Sequence, residues 1–115
     1  MSEEKFVIKD SGKREEFASG MRRDTQEGKP RFDLIYWPLV RRWAAHMAAG
    51  AKKYGENNWQ KANSVEEAVR FRASLLRHVD QYVAGDRTED HASAIVYGLG
   101  AIEYLRSKGV EATPL

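Results

Sequence analysis

The sequence predicts an all-α protein, a small helical bundle of about three main helices preceded by an irregular N-terminal arm. Three segments repeat apolar residues at three-to-four spacing, and each is bounded by residues typical of helix ends. The 115 residues, 42% hydrophobic and 31% charged, have the composition of one globular domain. We therefore expect an arm over residues 1–34, a helical domain over 35–109 and a tail over 110–115.

The arm is predicted because glycines and a proline interrupt residues 1–34 and helical periodicity is almost absent there. A short apolar run, Phe6-Val7-Ile8, predicts a strand or an extended segment. The stretch from Asp10 to Asp33 balances its opposite charges, and we expect it to be ordered but irregular.

The first helix is predicted from about Tyr36 to Ala49. Its apolar stripe consists of Tyr36, Leu39 or Val40, Trp43 and Met47. Pro38 suits the first turn, where its missing N–H removes no helical hydrogen bond. Gly50 follows as the expected C-cap.

The second helix is predicted to begin after Ser64, because Ser64-Val65-Glu66-Glu67 is a capping box. It should reach Ala84 and stop at Gly85. One face carries Ala68, Phe71, Leu75, His78 and Tyr82, which places a histidine within the apolar stripe.

The third helix is predicted from about Thr88 or Glu89 to Lys108-Gly109. Ile95, Leu99 and Ile102 form its stripe, with His91 on the same side. Gly98 and Gly100 inside this helix each cost about 1 kcal/mol relative to alanine. We therefore expect another helix or a ligand to approach closely at this point.

Composition excludes several classes of protein. The chain has no cysteine, which excludes disulfides and cysteine-ligated zinc. It has no apolar run of membrane-spanning length and no signal-peptide pattern, so we expect a cytoplasmic protein that contacts no membrane. The net charge of +2 is too small for a stable nucleic-acid complex. Three helices cannot bury all of the aromatic residues, which predicts a homo-oligomer.

The segment Gly50–Trp59 is the first candidate site. Tyr54 and Trp59 can either fill the gap between two helices or pack on a ligand. In the second case the lysines Lys52 and Lys53 and the amides of Asn57 and Asn58 would hold phosphate or base edges while a ring stacks on the base.

Two further clusters carry charge and imidazole. Arg77 and His78 on the second helix, with Arg70 two turns earlier, indicate a phosphate contact if they are partly buried. Asp86 and Asp90 before the third helix fit either a helix start or a magnesium site. In the magnesium reading His91 orients a ligand or acts as the base for an attacking water.

Several motifs occur in an order that resembles the phage and prophage dATP/dGTP diphosphohydrolase N-terminal domain family, a relative of the MazG-like all-α pyrophosphohydrolases. They are Asp10–Phe17 with Gly20–Asp24, Gly28–Leu34, Gly50–Trp59, Arg77-His78, and Gly85-Asp86 with Glu89-Asp90-His91. The resemblance covers roughly Phe6 to Leu105.

The resemblance implies cleavage of dATP or dGTP to the monophosphate and pyrophosphate, with Mg²⁺ (or Mn²⁺) as cofactor, by a homo-oligomer in the host cytoplasm. Carried over by position, Lys53, Tyr54, Asn58 and Trp59 contact the nucleotide, and Arg77 and His78 contact its phosphates. Asp86 and Asp90 hold the metal, with His91 beside them. From the charge pattern we add Arg70 to the substrate-binding residues and expect His78 and His91 to be catalytic.

Two alternatives remain open. The paired glutamates of MazG-like enzymes are missing from the stretch Leu75–Asp80, and this favours a non-catalytic protein that sequesters a nucleotide second messenger of host defence. The spacing of Arg72 and His78 also fits a helical ribonuclease.

Overall fold

Three helices account for about half of residues 5–115, the part of the chain that the computed structural model describes. The predicted helical fold with an irregular N-terminal arm is confirmed. By its contacts the chain divides into two compact units, one ending at Ile35 and one running from Tyr36 to Leu115. No helix in residues 5–115 is both long enough and apolar enough to cross a membrane.

The N-terminal unit contains a short antiparallel hairpin that the sequence did not predict. Strands β1 (Arg14–Glu16) and β2 (Arg22–Asp24) pair with Arg14 opposite Asp24. Each strand has three residues, all of them charged, so neither shows the apolar alternation that identifies a strand. The run Phe6-Val7-Ile8 is exposed and forms no strand, so that part of the prediction was wrong.

Helix α1 spans Trp37–Tyr54 and passes through Gly50 without ending there. The predicted C-cap was therefore wrong, because a glycine costs a helix only about 1 kcal/mol and does not break it. The helix ends at Gly55, whose φ of 95° suits glycine alone and whose N–H donates to the Ala51 carbonyl oxygen. Lys52 and Lys53 consequently lie in the last helical turn, where cations are attracted to the negative end of the helix dipole.

A 3₁₀ turn (Asn58–Lys61) leads to helix α2, which spans Val65–Val83. The capping box is confirmed: the Ser64 hydroxyl oxygen accepts a hydrogen bond from the Glu67 N–H at 3.2 Å. The Glu67 carboxylate in turn accepts from the Asn63 N–H at 3.1 Å. Gly85 follows the end of the helix with φ of 88°.

Helix α3 spans His91–Ser107 and packs against both α1 and α2. It begins after Asp90, two or three residues later than predicted, because the Asp90 side chain caps the helix by accepting from the Ser93 N–H. A Cβ added at Gly98 would lie 3.3 Å from the Leu75 Cβ, so α2 and α3 approach closely at Gly98. At Gly100 no other helix of the described chain approaches, since nothing lies within 4 Å of a Cβ added there.

The core of the helical unit is small. Its fully buried apolar side chains are Ala62, Ala68, Ala94, Ala101 and Leu105. In contrast, α2 exposes an apolar stripe at spacings of four, seven, three and four residues, consisting of Val65, Val69, Leu76, Val79 and Val83. The homo-oligomer stays a prediction that sedimentation equilibrium would test, and this stripe is a surface that fits it.

The two glycines of α3 provide a matched test of the close approach. Gly100→Ala should raise the free energy of unfolding by about 1 kcal/mol, because alanine favours the helix and the added methyl meets open space. Gly98→Ala should lower it, since overpacking against Leu75 costs about 1–3 kcal/mol and exceeds the propensity gain. Urea denaturation measures both, and equal stabilisation by the two changes would contradict the packing described.

Candidate functional site

A cavity of about 370 Å³ lies between the end of α1, the 3₁₀ turn and α3. Aromatic and apolar side chains supply most of its wall: Met47, Tyr54, Trp59 and Tyr97. His46 from the middle of α1 also lines it, with its ring 5.5 Å from that of Tyr97. The size and the aromatic lining fit a flat organic group such as a nucleobase.

Trp59 both fills the gap between elements and lines the cavity. Its ring packs edge-on against Tyr104 at 5.1 Å and Tyr97 at 6.3 Å. These contacts hold the 3₁₀ turn on α3 and correspond to the structural alternative considered for this tryptophan. Tyr54, by contrast, is 61% exposed, so its ring is the more available of the two for stacking.

The rim of this cavity is polar. Glu56, Asn57 and Asn58 line it, and within residues 5–115 none of their side chains has a hydrogen-bond partner. Asn57 adopts a left-handed backbone with φ of 58°, the only non-glycine residue of the described chain to do so. Backbone strain of this kind often occurs where a turn presents side chains to a ligand.

A second cluster joins the end of α2 to the start of α3. The Asp86 carboxylate Oδ2 lies 3.2 Å from Nε2 of His91, and Nδ1 of His91 lies 2.8 Å from Nδ1 of His78. His91 is 1% exposed, so each of its ring nitrogens needs a partner. We call Asp86, His91 and His78 the histidine line.

The bonding pattern assigns the protons of this line. Asp86 is ionised, because hydrogen bonds from the Thr88 N–H and hydroxyl, then from His91, lower its pKa to about 2. It therefore accepts from His91 Nε2–H, and with one proton on this ring the Nδ1 of His91 is an acceptor. His78 must then donate from Nδ1, and its Nε2 carries a lone pair.

His78 is suited to accept a proton at neutral pH. Burial first, and then the neighbouring His91, lower its pKa below the ordinary value, so the ring is neutral. Its Nε2 has no partner within residues 5–115, and no unpartnered polar side-chain atom there is buried, so Nε2 reaches solvent. His46 lies close enough to contribute to the lowered pKa of His78.

Asp90 has a structural role, as the cap of α3 and the partner of Arg42. Its carboxylate accepts two hydrogen bonds from Arg42, at 2.7 and 2.9 Å, which tie α1 to the start of α3. It also accepts from the Ser93 N–H and hydroxyl. The Arg42 bond, above all, holds the pKa of Asp90 well below its usual range. A second cavity, of about 490 Å³, is lined by Arg42, Asp86, Asp90 and His91 among others.

The two predicted metal ligands do not fit Mg²⁺ in this arrangement. Both oxygens of Asp90 face Arg42 and Ser93, and those of Asp86 face Thr88 and His91. Nowhere in residues 5–115 do three or more histidine or carboxylate side chains form a group that could hold a metal ion. Hard cations need several free oxygen ligands, so the magnesium site stays a prediction without support from the donor set.

The other predicted substrate residues are dispersed. Asn58, Tyr54 and Trp59 line the first cavity, whereas Lys53 lies over the Tyr54 ring at 5.0 Å and lines no described cavity. Arg70 lines a third cavity of about 240 Å³, which shares Asn58, Trp59 and Tyr97 with the first. Arg77 is exposed beside His78.

Sequence reasoning missed His46, Tyr97 and Arg42. Arg42 lines the second cavity and His46 the first, and as residues four apart on α1 they are neighbours on one helix face. The four-residue spacing of a cation and a histidine was visible in the sequence, but it lay in a helix predicted to be only a packing element.

Comparison with known proteins identifies the family. A family model described as dATP/dGTP diphosphohydrolase, N-terminal, matches residues 19–112. The chain belongs to the dATP/dGTP diphosphohydrolase N-terminal family. The match includes the first cavity and the whole histidine line. No curated protein and no solved structure matches the chain.

The family description suggests a diphosphohydrolase-like function and a nucleotide ligand.

The lowered pKa of His78 predicts how stability changes with pH. Because the unfolded chain binds this proton more tightly, the stabilisation is complete above pH 6.5 and is lost as pH falls through the lower folded pKa. The free energy of unfolding in urea should fall from about pH 7.5 to about pH 5, where histidines titrate. His78→Gln should flatten this fall, whereas His46→Gln should retain most of it, since His46 lowers the pKa of His78 less than burial and His91 do.

A separate loss of stability is expected at lower pH in both variants. The pKa of Asp86 is lowered to about 2, so its stabilisation is present above the ordinary value of 3.8 and lost below it. An unchanged slope in His78→Gln above about pH 5 would contradict the assignment of the upper transition to His78.

Proposed function

We propose that the protein binds a purine deoxynucleoside triphosphate and hydrolyses it to the monophosphate and pyrophosphate, with His78 as the general base. The observation that supports this most is the histidine line, which leaves an unprotonated nitrogen at the protein surface. Family membership supplies the class of substrate. Neither cavity alone would distinguish a hydrolase from a binding protein.

The base of the nucleotide is proposed to occupy the first cavity. Tyr54 is the exposed ring for stacking, and Trp59 and Tyr97 form the remaining aromatic wall. From there the phosphates extend past His46 toward His78, since His46 lines the cavity and lies close to His78. A single nucleotide would thus contact both halves of the candidate site.

The proposed reaction moves one proton along the histidine line. A water oxygen attacks the α-phosphorus, the bond from that phosphorus to the bridging oxygen breaks, and pyrophosphate leaves. The water proton goes to His78 Nε2 while the proton on His78 Nδ1 passes to His91 Nδ1. Positive charge then develops on His91 next to the ionised Asp86, which stabilises it.

Cations near the site would stabilise charge on the phosphates. Arg77 is adjacent to His78 and exposed, so its guanidinium is free to bind a phosphate. Lys53 and Arg70 remain candidates for more distant phosphate oxygens. Preorganised positive charge of this kind commonly contributes more to phosphoryl transfer than proton transfer does.

A non-catalytic role is favoured by one observation. The two carboxylates nearest the histidines are occupied by Arg42, Thr88, Ser93 and His91, so the site lacks the free acidic ligands that a metal-dependent hydrolase uses. In that case the same cavity would hold a nucleotide, or a signalling molecule derived from one, without changing it. Recovery of intact ligand from the heat-denatured complex would distinguish this role.

Hydrolysis should depend on the histidine line. His78→Ala should lower the rate of pyrophosphate release from dATP or dGTP by about 10²–10⁴-fold, because the general base is lost. Asp86→Asn should have an effect of similar size: the amide donates to His91 Nε2, which reverses the tautomers and leaves His78 Nε2 protonated. Asp80→Asn, an exposed residue of α2 outside the site, is the control.

The outcomes separate three mechanisms. Loss of activity in both variants with retained nucleotide binding supports the proposal. No pyrophosphate from the wild-type protein, with binding retained, would leave the sequestering role. A manganese requirement in the wild-type protein, with manganese binding lost in Asp90→Asn and the fold retained, would instead establish Asp90 as a metal ligand and contradict its structural assignment.

A further inference from the structure

We infer that Glu56 makes the first cavity select guanine over adenine. The inference rests on the proposed function, because it assumes that this cavity holds the purine. It goes further in naming the base and the side chain that recognises it.

Glu56 is the one formally charged side chain among the described residues that line the first cavity. Within residues 5–115 its carboxylate makes no ion pair and no hydrogen bond. The neighbouring lysines do not line the cavity, and the Lys53 ammonium lies over the ring of Tyr54. A ligand in the cavity therefore meets an unpaired carboxylate at its rim.

The chemistry of a carboxylate separates the two purines. An ionised carboxylate can only accept hydrogen bonds, and its two oxygens can accept two parallel ones. Guanine offers two adjacent donors on its Watson–Crick edge, the N1–H and the 2-amino group. Adenine presents the N1 lone pair at the same position, so it would leave the carboxylate desolvated, unpaired and facing another acceptor.

The amides on the rim complement guanine but do not decide between the bases. The side chains of Asn57 and Asn58 have no intramolecular partner in the described chain, and either can donate to guanine O6. Either amide could also accept from the adenine 6-amino group. Discrimination therefore depends on Glu56, which lines the same cavity as the amides.

Binding of uncleavable analogues tests the inference. Calorimetric titrations with the α,β-methylene analogues of dGTP, dATP and dITP, in one magnesium-containing buffer, exclude turnover. The dGTP analogue should bind about 10–100-fold more tightly than the dATP analogue, the discrimination typical of one bidentate contact. The dITP analogue, which keeps N1–H and lacks the 2-amino group, should fall between them.

Glu56→Gln should abolish or reverse the preference. A glutamine amide offers one acceptor and one donor, which matches the adenine edge and leaves only a single acceptor for guanine. The control is Glu103→Gln, an exposed carboxylate on α3 that lines no described cavity and pairs with Arg106. Because Glu56 is exposed in a turn, the change should leave the thermal unfolding transition unaltered.

Each result bears on a different claim. A guanine preference that falls in Glu56→Gln and persists in Glu103→Gln supports the inference. Equal binding of all three analogues, or a guanine preference unchanged in Glu56→Gln, would overturn it while the proposed function stands. Failure of every analogue to bind would overturn the proposed function and the inference together.

Discussion

The structure depends on the hydrogen-bonded line from Asp86 through His91 to His78. It places a polar ring at 1% exposure where α3 begins, and an unpaired nitrogen there would cost about 1–3 kcal/mol. Both nitrogens are paired, one across the interhelical turn and one to α2. The line thus fixes the angle and register of α2 against α3. About two turns further along α3, the two helices also approach closely at Gly98.

The same line has a chemical consequence. An ionised carboxylate at one end dictates the position of each proton, and the sequence of donors and acceptors ends at His78 Nε2. The hydrogen bonds that allow His91 to be buried therefore also leave Nε2 of His78 as an unprotonated base at the surface. The aromatic cavity begins at Tyr97, six residues or roughly 9 Å along α3 from His91, which is within the length of one nucleotide.

Local signals predicted the helices well and their ends unevenly. The capping box at Ser64 and the stop at Gly85 were confirmed, because each satisfies specific backbone groups within a few residues. The end of α1 was misplaced because Gly50 is a weak stop inside a favourable helix. The hairpin of the N-terminal unit was missed because its register depends on backbone pairing and on contacts to Asp24, which leave no apolar pattern.

The site was predictable in its residue types and not in its pairings. His78 and His91 stood out as histidines on apolar faces, but their contact depends on the register of two helices, which single-helix periodicity does not contain. Asp90 fitted both a helix cap and a metal ligand, and the structure shows the cap together with the pair to Arg42. That pair joins residues 48 positions apart, beyond the reach of local reasoning.

The tautomers of the histidines test the central claim most directly. Long-range ¹H–¹⁵N correlation spectra of histidine-labelled protein at neutral pH report which ring nitrogen carries each proton. The account predicts that His91 carries its proton on Nε2 and His78 on Nδ1, with the nitrogen shift of an unprotonated Nε2 for His78. A His78 protonated on Nε2 in the wild-type protein would contradict it.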